Sequence, residues 1–90
     1  MLEHFERLAE PGEDADRRER LRYALGLMLV RKRALKLHNL RREGGRQWLV
    51  VRRPADGELI ELADPQLTEE QTQALEDDLH AWIETAGEGE

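Results

Sequence analysis

Two tight turns in the middle of the chain constrain the fold more than any other feature. Gly44–Gly45 supplies the positive φ angles that a two-residue hairpin turn requires. Pro54–Gly57, with the sequence Pro-Ala-Asp-Gly, combines a residue of fixed φ with one that accepts the left-handed conformation. Because apolar residues alternate on both sides of these turns, the sequence predicts three antiparallel strands joined as a meander over residues 38–63.

The turns also fix which residues face each other in the predicted sheet. Counting from the first turn places Arg41 opposite Trp48 and His38 opposite Val51, and counting from the second places Val51 opposite Ile60. Both counts predict the same core face, which consists of Leu40, Leu49, Val51, Ile60 and Leu62, with His38 at its edge. The outer face then consists of Asn39, Arg41, Trp48, Val50, Arg52, Leu59 and Glu61.

Helical patterns flank the predicted meander on both sides. Asp16 followed by Glu19 has the form of a helix capping box, which predicts a long helix over residues 16–37. Thr68 followed by Gln71 has the same form. It predicts a C-terminal helix over residues 66–86.

The remaining segments complete a single small domain. Residues 1–15 are predicted to form a short helix and a loop, and residues 87–90 a frayed tail. A chain of 90 residues has room for one core, so we expect one domain over residues 1–90. The predicted fold is α+β, with the helices on one face of the three-stranded sheet.

The predicted long helix has apolar residues on two nearly opposite sides. One stripe, suited to packing on the sheet, consists of Leu21, Ala24, Leu25, Met28 and Leu35. The other consists of Tyr23, Leu27, Val30, Ala34 and Leu37. Because one small sheet covers only one side of a helix, the second stripe is expected to contact the flanking helices or a partner chain.

The charges are strongly segregated along the chain. Residues 17–53 contain 13 of the 14 basic residues and two of the 20 acidic ones, whereas residues 54–90 contain twelve acidic residues and no basic one. A block of one sign repels itself unless other charges neutralise it. The candidates are the acidic ends of the chain, a second copy, or an external polyanion.

These features predict a small non-catalytic adaptor or accessory subunit. It is expected to act through protein–protein contacts, either as a homodimer or within a larger assembly. The predicted partner-binding residues are Tyr23, Leu27, Val30, Ala34, Trp48, Val50 and Leu59.

The alternative is a nucleic-acid-binding module. A tryptophan beside arginines can stack on a base, and cations neutralise phosphates. The residues predicted for this function are Arg31, Lys32, Arg33, Lys36, Arg41, Trp48 and Arg52. Two structural interpretations compete with it: Arg41 covers Trp48 in a cross-strand pair, and the basic strip is a solvated helix end. A third hypothesis is that the acidic final helix shields the strip until a polyanion binds.

The composition argues against several other classes. The chain has no cysteine and no serine, which excludes disulfides, thiolate metal sites and these two nucleophiles. Glu76, Asp77 and His80 lie at helical spacing but are too few to predict a metal site, so no metal or cofactor is expected. The longest apolar run, Tyr23–Val30, is too short for a bilayer, and no secretory signal is present. We therefore expect a cytoplasmic protein with no membrane or small-molecule partner.

Overall fold

The structure, a computed structural model, describes residues 2–10 and 14–88. It has the predicted α+β class, with three helices and a three-stranded antiparallel sheet. The strands follow one another in the order β1-β2-β3, so β1 and β3 form the two edges. The elements are α1 (Leu2–Leu8), α2 (Ala15–Arg31), β1 (Lys36–Glu43), β2 (Arg46–Arg52), β3 (Leu59–Ala63) and α3 (Glu69–Glu88).

Both predicted turns form, and their glycines adopt the conformations that the turns require. Gly44 and Gly45 have φ angles of 57° and 80°, and Gly57 has a φ of 73°. Arg53 and Glu58 close the second turn, where the Arg53 N–H donates to the Glu58 carbonyl at 2.9 Å. The turn chemistry read from the sequence is therefore confirmed.

The predicted register is confirmed except at one end of β1. Arg41 lies opposite Trp48, and Val51 opposite Ile60, as expected. Leu37, rather than His38, lies opposite Val51, because a β-bulge falls between Leu37 and Asn39. The bulge leaves His38 with no directly opposite residue on β2. Leu37 thereby takes the position opposite Val51 that was predicted for His38.

The start of α2 differs from the prediction. The helix begins at Ala15, so Asp16 lies inside its first turn instead of capping it. Asp14 occupies the cap position with a φ of 55° and makes no side-chain capping hydrogen bond. The predicted Asp16–Glu19 capping box is wrong, although an acidic residue in the first turn still interacts favourably with the helix dipole.

The end of α2 also differs, because the helix stops at Arg31 rather than at residue 37. The following residues form a Schellman motif. In it the Arg33 N–H donates to the Val30 carbonyl at 3.0 Å and the Ala34 N–H to the Leu29 carbonyl at 2.8 Å. Arg33 takes the left-handed conformation that the motif requires, with a φ of 62°. These hydrogen bonds satisfy the last carbonyls of the helix and turn the chain toward the sheet.

The early end of α2 redistributes the two predicted stripes. Leu35, assigned to the helix, is instead buried in the core from the turn that follows it. Leu37 becomes a residue of β1. The other members of the second stripe are half-buried beside the core: Tyr23, Leu27, Val30 and Ala34.

Helix α3 begins at Glu69, three residues after the predicted start at residue 66, but the predicted cap forms. The Gln71 N–H donates to the Thr68 Oγ1 at 3.2 Å, and the Thr68 N–H donates to the Gln71 Oε1 at 3.1 Å, which confirms the reciprocal capping box. The helix continues to Glu88. Part of the predicted frayed tail is therefore helical, and residues 89–90 lie outside the described residues.

The core lies between α2 and the strands β2 and β3. Leu21, Leu25 and Leu29 form the fully buried face of α2. Gly26 allows this close packing, because a Cβ at that position would clash with Leu62 and crowd the ring of Phe5. The other core residues are Phe5, Leu8, Leu35, Leu49, Val51, Leu62 and Leu79.

The helices cover the sheet unevenly. α2 packs on β2 and β3, whereas α1 and α3 pack mainly against α2. Leu40 lies opposite Leu49 on the predicted core face but is 45% exposed, so its predicted burial is wrong. The reason is geometric, since α2 lies over β2 and β3 and leaves the inner face of the edge strand β1 uncovered.

Candidate interaction surfaces

A cleft of about 480 Å³ lies between α2 and α3. Tyr23 and Leu27 line it from α2, Leu75 and Leu79 from α3, and Leu67 from the connection that follows β3. Ligand pockets in proteins typically measure about 300–1,000 Å³ and have mainly apolar linings. The cleft thus has the size and chemistry of a binding site, and it contains two of the residues predicted to contact a partner.

Polar groups surround this apolar lining. Arg31 and Asp64 contribute to the wall, as do Glu76 and His80 of α3. Burial, followed by the negative charge of Asp64, raises the pKa of the Tyr23 hydroxyl. Tyr23 therefore stays neutral at physiological pH, and its chemistry in the cleft is apolar packing and hydrogen bonding.

The β3–α3 connection at one end of the cleft is held by hydrogen bonds to the hairpin. The Gln66 side-chain amide donates to the Gly45 carbonyl at 2.8 Å, and the Asp64 N–H donates to the Gln47 carbonyl at 2.9 Å. The Gln66 N–H donates to the Asp64 carboxylate at 2.9 Å. These bonds fix the segment that presents Leu67 to the cleft.

The outer face of the sheet is occupied by contacts within the chain. The Arg41 guanidinium lies 4.0 Å from the centre of the Trp48 ring, and that of Arg46 lies 5.6 Å away. Arg41 also pairs with Glu43 at 2.7 Å and with Glu61 at 3.0 Å. The interpretation that Arg41 covers Trp48 is therefore confirmed.

The other outer-face residues predicted to bind a partner differ in exposure. Val50, beside Trp48 on β2, is only 6% exposed and offers little surface. Leu59 on β3 is 46% exposed. Of this group, Leu59 is the residue that solvent reaches most freely.

Several cations of the basic block have acidic partners. Arg17 makes a bidentate contact with Asp78 at 2.6 and 2.9 Å, and this hydrogen bonding raises the pKa of Arg17 and lowers that of Asp78. Arg53 pairs with Asp56 at 2.6 Å and with Glu58 at 2.7 Å. Hydrogen bonding to Arg53 lowers the pKa of Asp56 to about 2.

Two further arginines have structural roles near α1. Arg18 donates to the carbonyls of Arg7 and Glu10 at 2.8 and 3.3 Å, which satisfies acceptors at the end of α1. Arg22 lies 5.1 Å from the centre of the Phe5 ring. Burial, followed by repulsion from Arg53, lowers the pKa of Arg22. Part of the basic block is thus used to join α1 to α2.

The remaining predicted cations form one exposed cluster, which we call the basic corner. It consists of the end of α2, the following turn, and the first residue pair of the β1–β2 ladder, where Lys36 lies opposite Arg52. Across residues 2–10 and 14–88, none of its members forms an ion pair. The members are Arg31, Lys32, Arg33, Lys36 and Arg52.

The acidic final helix does not neutralise this corner in the described part of the chain. The α3 carboxylate that forms an ion pair there is Asp78, and its partner is Arg17 at the opposite end of α2. The ion pair of the acidic helix is therefore made with the first basic residue of the segment 17–53.

The inner face of β1 forms a small apolar shelf. Leu37 and Leu40 are 44% and 45% exposed there, beside the buried residues of β2. β1 is also an edge strand, although its bulge and its cations disfavour direct strand addition. The shelf is a second apolar surface, separate from the cleft.

The histidines are dispersed in the structure, as in the sequence. His4 contacts the edge of the Trp82 ring, with ring centres 5.6 Å apart. Glu76 and His80 both line the cleft, but no group of three His, Cys, Asp or Glu residues in the described chain could hold a metal ion. Within the same residues, no helix combines the length and apolarity that crossing a membrane requires.

Comparisons with protein families, curated proteins and solved structures gave no match for this chain. Sequence reasoning placed Tyr23 and Leu27 on a surface that needs a partner, but it missed the cleft. The available signal was the second apolar stripe of α2, together with Leu75 and Leu79, which lie four residues apart on α3. Two such stripes predict helix–helix contact, whereas their relative spacing depends on the β3–α3 connection.

Proposed function

We propose that this chain is a small adaptor or accessory subunit that holds an apolar segment of a partner protein between α2 and α3. The cleft between these helices is the observation that supports the proposal. Its lining reaches the core at Leu79, and the half-buried Tyr23 and Leu27 lie along it. Filling the cleft would remove this apolar surface from water, which is favourable by roughly 25 cal/mol per Å².

An amphipathic helix is the segment that suits this geometry. Two packed helices leave a groove between their side chains, and a third helix can insert residues spaced at i, i+3, i+4 and i+7 into it. The rim offers opposite charges, with Arg31 from α2 and Glu76 from α3. Such charges fix the orientation of a partner more than they add affinity.

Site-specific photo-crosslinking in the full chain tests this proposal. A photoreactive residue in place of Tyr23 should capture a discrete partner protein. Leu27→Glu should abolish the capture, because binding would bury an unpaired carboxylate. Leu59→Glu is the matched control, since it places the same charge at a half-exposed leucine of the outer sheet face. We expect capture to persist in that variant.

The result opposite to the proposal is equally clear. Capture that survives Leu27→Glu in a protein with native circular dichroism, or that is lost equally in Leu59→Glu, would show that the cleft is not the binding surface. Should Leu27→Glu fail to fold, the milder Leu27→Gln takes its place, and the same comparison with Leu59→Gln decides the result.

Self-association is a second candidate, and the apolar shelf of β1 supports it. Leu37 and Leu40 lie on one exposed surface, which could meet its symmetry mate across a twofold axis. Sedimentation velocity at micromolar concentrations should detect a dimer that Leu37→Gln combined with Leu40→Gln dissociates. A wild-type chain that sediments as a monomer throughout this range would remove the candidate.

A further inference from the structure

The basic corner brings together five cations that form no ion pair within the described residues. Lys36 and Arg52 are directly opposite each other in the β1–β2 ladder. Side chains at such positions are neighbours, about 5 Å apart at their Cβ atoms, and like charges there are destabilising. Arg31, Lys32 and Arg33 come from the adjoining end of α2, and all three are exposed.

Arg33 adds an independent observation. It occupies the position of the Schellman motif where a left-handed residue is needed, and glycine is the usual residue there because it has no Cβ. An arginine at a φ of 62° is less favourable for the fold than a glycine would be. The structure thus holds a cation at a site where the backbone favours glycine, which points to a use for the side chain itself.

We infer that the basic corner binds the phosphate backbone of a nucleic acid. Three of its five members are arginines, whose planar guanidinium forms paired hydrogen bonds to phosphate oxygens. Their close spacing suits a polymer that carries a phosphate about every 3.4 Å along each strand. Within the described residues, the corner includes no aromatic side chain, so the contact reads the backbone and not the bases.

This surface keeps five of the seven residues predicted from the sequence to bind nucleic acid and leaves out the other two. Arg41 and Trp48, two members of that prediction, are already stacked and paired within the chain. The corner lies at the other end of the β1–β2 ladder, at Lys36 and Arg52. The corner shares Arg31 with the rim of the cleft, whereas its other four members are absent from the cleft lining, so either function can hold without the other.

Fluorescence anisotropy with the full chain and labelled mixed-sequence oligonucleotides, one single-stranded and one duplex, measures this binding. If all five cations contact phosphates, the logarithm of the affinity should fall against the logarithm of salt with a slope of about −3.5 for the single strand and about −4.5 for the duplex. The oligonucleotide that binds with the higher affinity at equal salt shows whether the protein prefers single-stranded or duplex nucleic acid.

A matched pair of double variants locates the site. Lys36→Gln with Arg52→Gln should weaken binding by roughly 25- to 60-fold at 0.1 M salt, because two phosphate contacts are lost. Arg42→Gln with Arg46→Gln removes the same charge near the first hairpin turn. We expect this control to change the affinity by less than about threefold, since only the long-range field is altered.

Arg33→Gly separates the ligand contact from the fold. The variant should raise the thermal midpoint, because glycine adopts the left-handed conformation without strain. It should also weaken nucleic-acid binding by about five- to eightfold at 0.1 M salt. A more stable protein with weaker binding is the outcome that a merely structural role for Arg33 does not produce.

Three results would overturn the inference. The first is the absence of binding at low salt by either oligonucleotide. The second is an equal loss of affinity in both double variants, which would indicate diffuse charge instead of a site. The third is binding of poly-glutamate as tightly as of DNA at matched charge, which would assign the corner to an acidic protein partner.

Discussion

The strands β1 and β2 are paired over most of their length, yet their surroundings are opposite. β2 is occupied on both faces: Leu49 and Val51 are buried on the inner face, and Trp48 on the outer face is covered by Arg41. β1 has no such cover, since Leu40, the direct partner of Leu49, is half-exposed. The two strands are hydrogen-bonded to each other, but β2 is much more buried than β1.

This difference separates stability from interaction within a very small protein. The helices can bury only part of a three-stranded sheet, because a chain of 90 residues can build only a small core. α2 lies over β2 and β3, and β1 extends beyond it. The covered strands therefore hold the fold together, whereas β1 and the basic corner at its start remain accessible to partners.

The largest effect should come from truncating the covered member of the Leu40–Leu49 pair. Leu49→Ala should reduce the free energy of unfolding by about 2–5 kcal/mol, because it leaves a cavity under α2. Leu40→Ala should cost less than about 1 kcal/mol, because its side chain is already half in water. Urea denaturation followed by circular dichroism measures both values.

Equal destabilisation by the two substitutions would contradict the unequal cover of the sheet. The comparison is well matched, since both residues are leucines on the same face and in the same register pair. Both variants carry the same leucine-to-alanine change. The two positions differ in burial and in strand position, because β1 is an edge strand and β2 is central.

A smaller effect should distinguish two cations of β1. Arg41→Gln removes the cover of Trp48 and the contacts with Glu43 and Glu61, so the thermal midpoint should fall by a few degrees. Lys36→Gln should leave the midpoint unchanged or slightly raised, because it removes a repulsion across the ladder. Scanning calorimetry at low salt measures both shifts.

Both cations lie on β1, and they differ in their neighbours. A fall of the same size in both variants would mean that Lys36 has a stabilising partner after all. A fall of the thermal midpoint in Lys36→Gln alone would reverse the comparison. The Lys36–Arg52 end of the ladder would then be the end that charge interactions stabilise.

The sequence predicted well wherever one residue type determines a local geometry. Gly44–Gly45 and Pro54–Gly57 specify turns, and these turns set the register of the whole meander. Thr68 and Gln71 likewise specify the start of α3 through two reciprocal hydrogen bonds. In these places the interacting groups are close in sequence, so the pattern is sufficient.

The predictions failed where packing between residues distant in sequence determines the local structure. Nothing in the local sequence requires α2 to end at Arg31, because Arg33 is a poor residue for the left-handed position that ends it. The helix ends there as Leu35 joins the core and β1 pairs with β2. The exposure of Leu40 and the cleft beside Tyr23 likewise depend on where the helices lie over the sheet.

The smallest effect should appear as a pH dependence at the β2–β3 turn. Arg53 holds the pKa of Asp56 at about 2, below its ordinary value, so the carboxylate stabilises the fold above that ordinary value and loses this effect as the pH falls toward 2. Asp56→Asn should therefore be less stable than the wild type at pH 6. The difference between the two proteins should shrink as the pH falls and should be small near pH 2, where about half of the Asp56 carboxylates are protonated.

The same titration distinguishes the turn from the basic corner. The corner has no carboxylate partner among the described residues, so the stability difference between Lys36→Gln and the wild type should stay constant as the solution is acidified. Thermal midpoints measured from pH 6 to pH 2 test both expectations. A difference for Asp56→Asn that is as large at pH 2 as at pH 6 would show that the side chain acts through shape and not charge. A difference for Lys36→Gln that changes over this range would show that a carboxylate reaches the corner, and β1 would then be neutralised like β2.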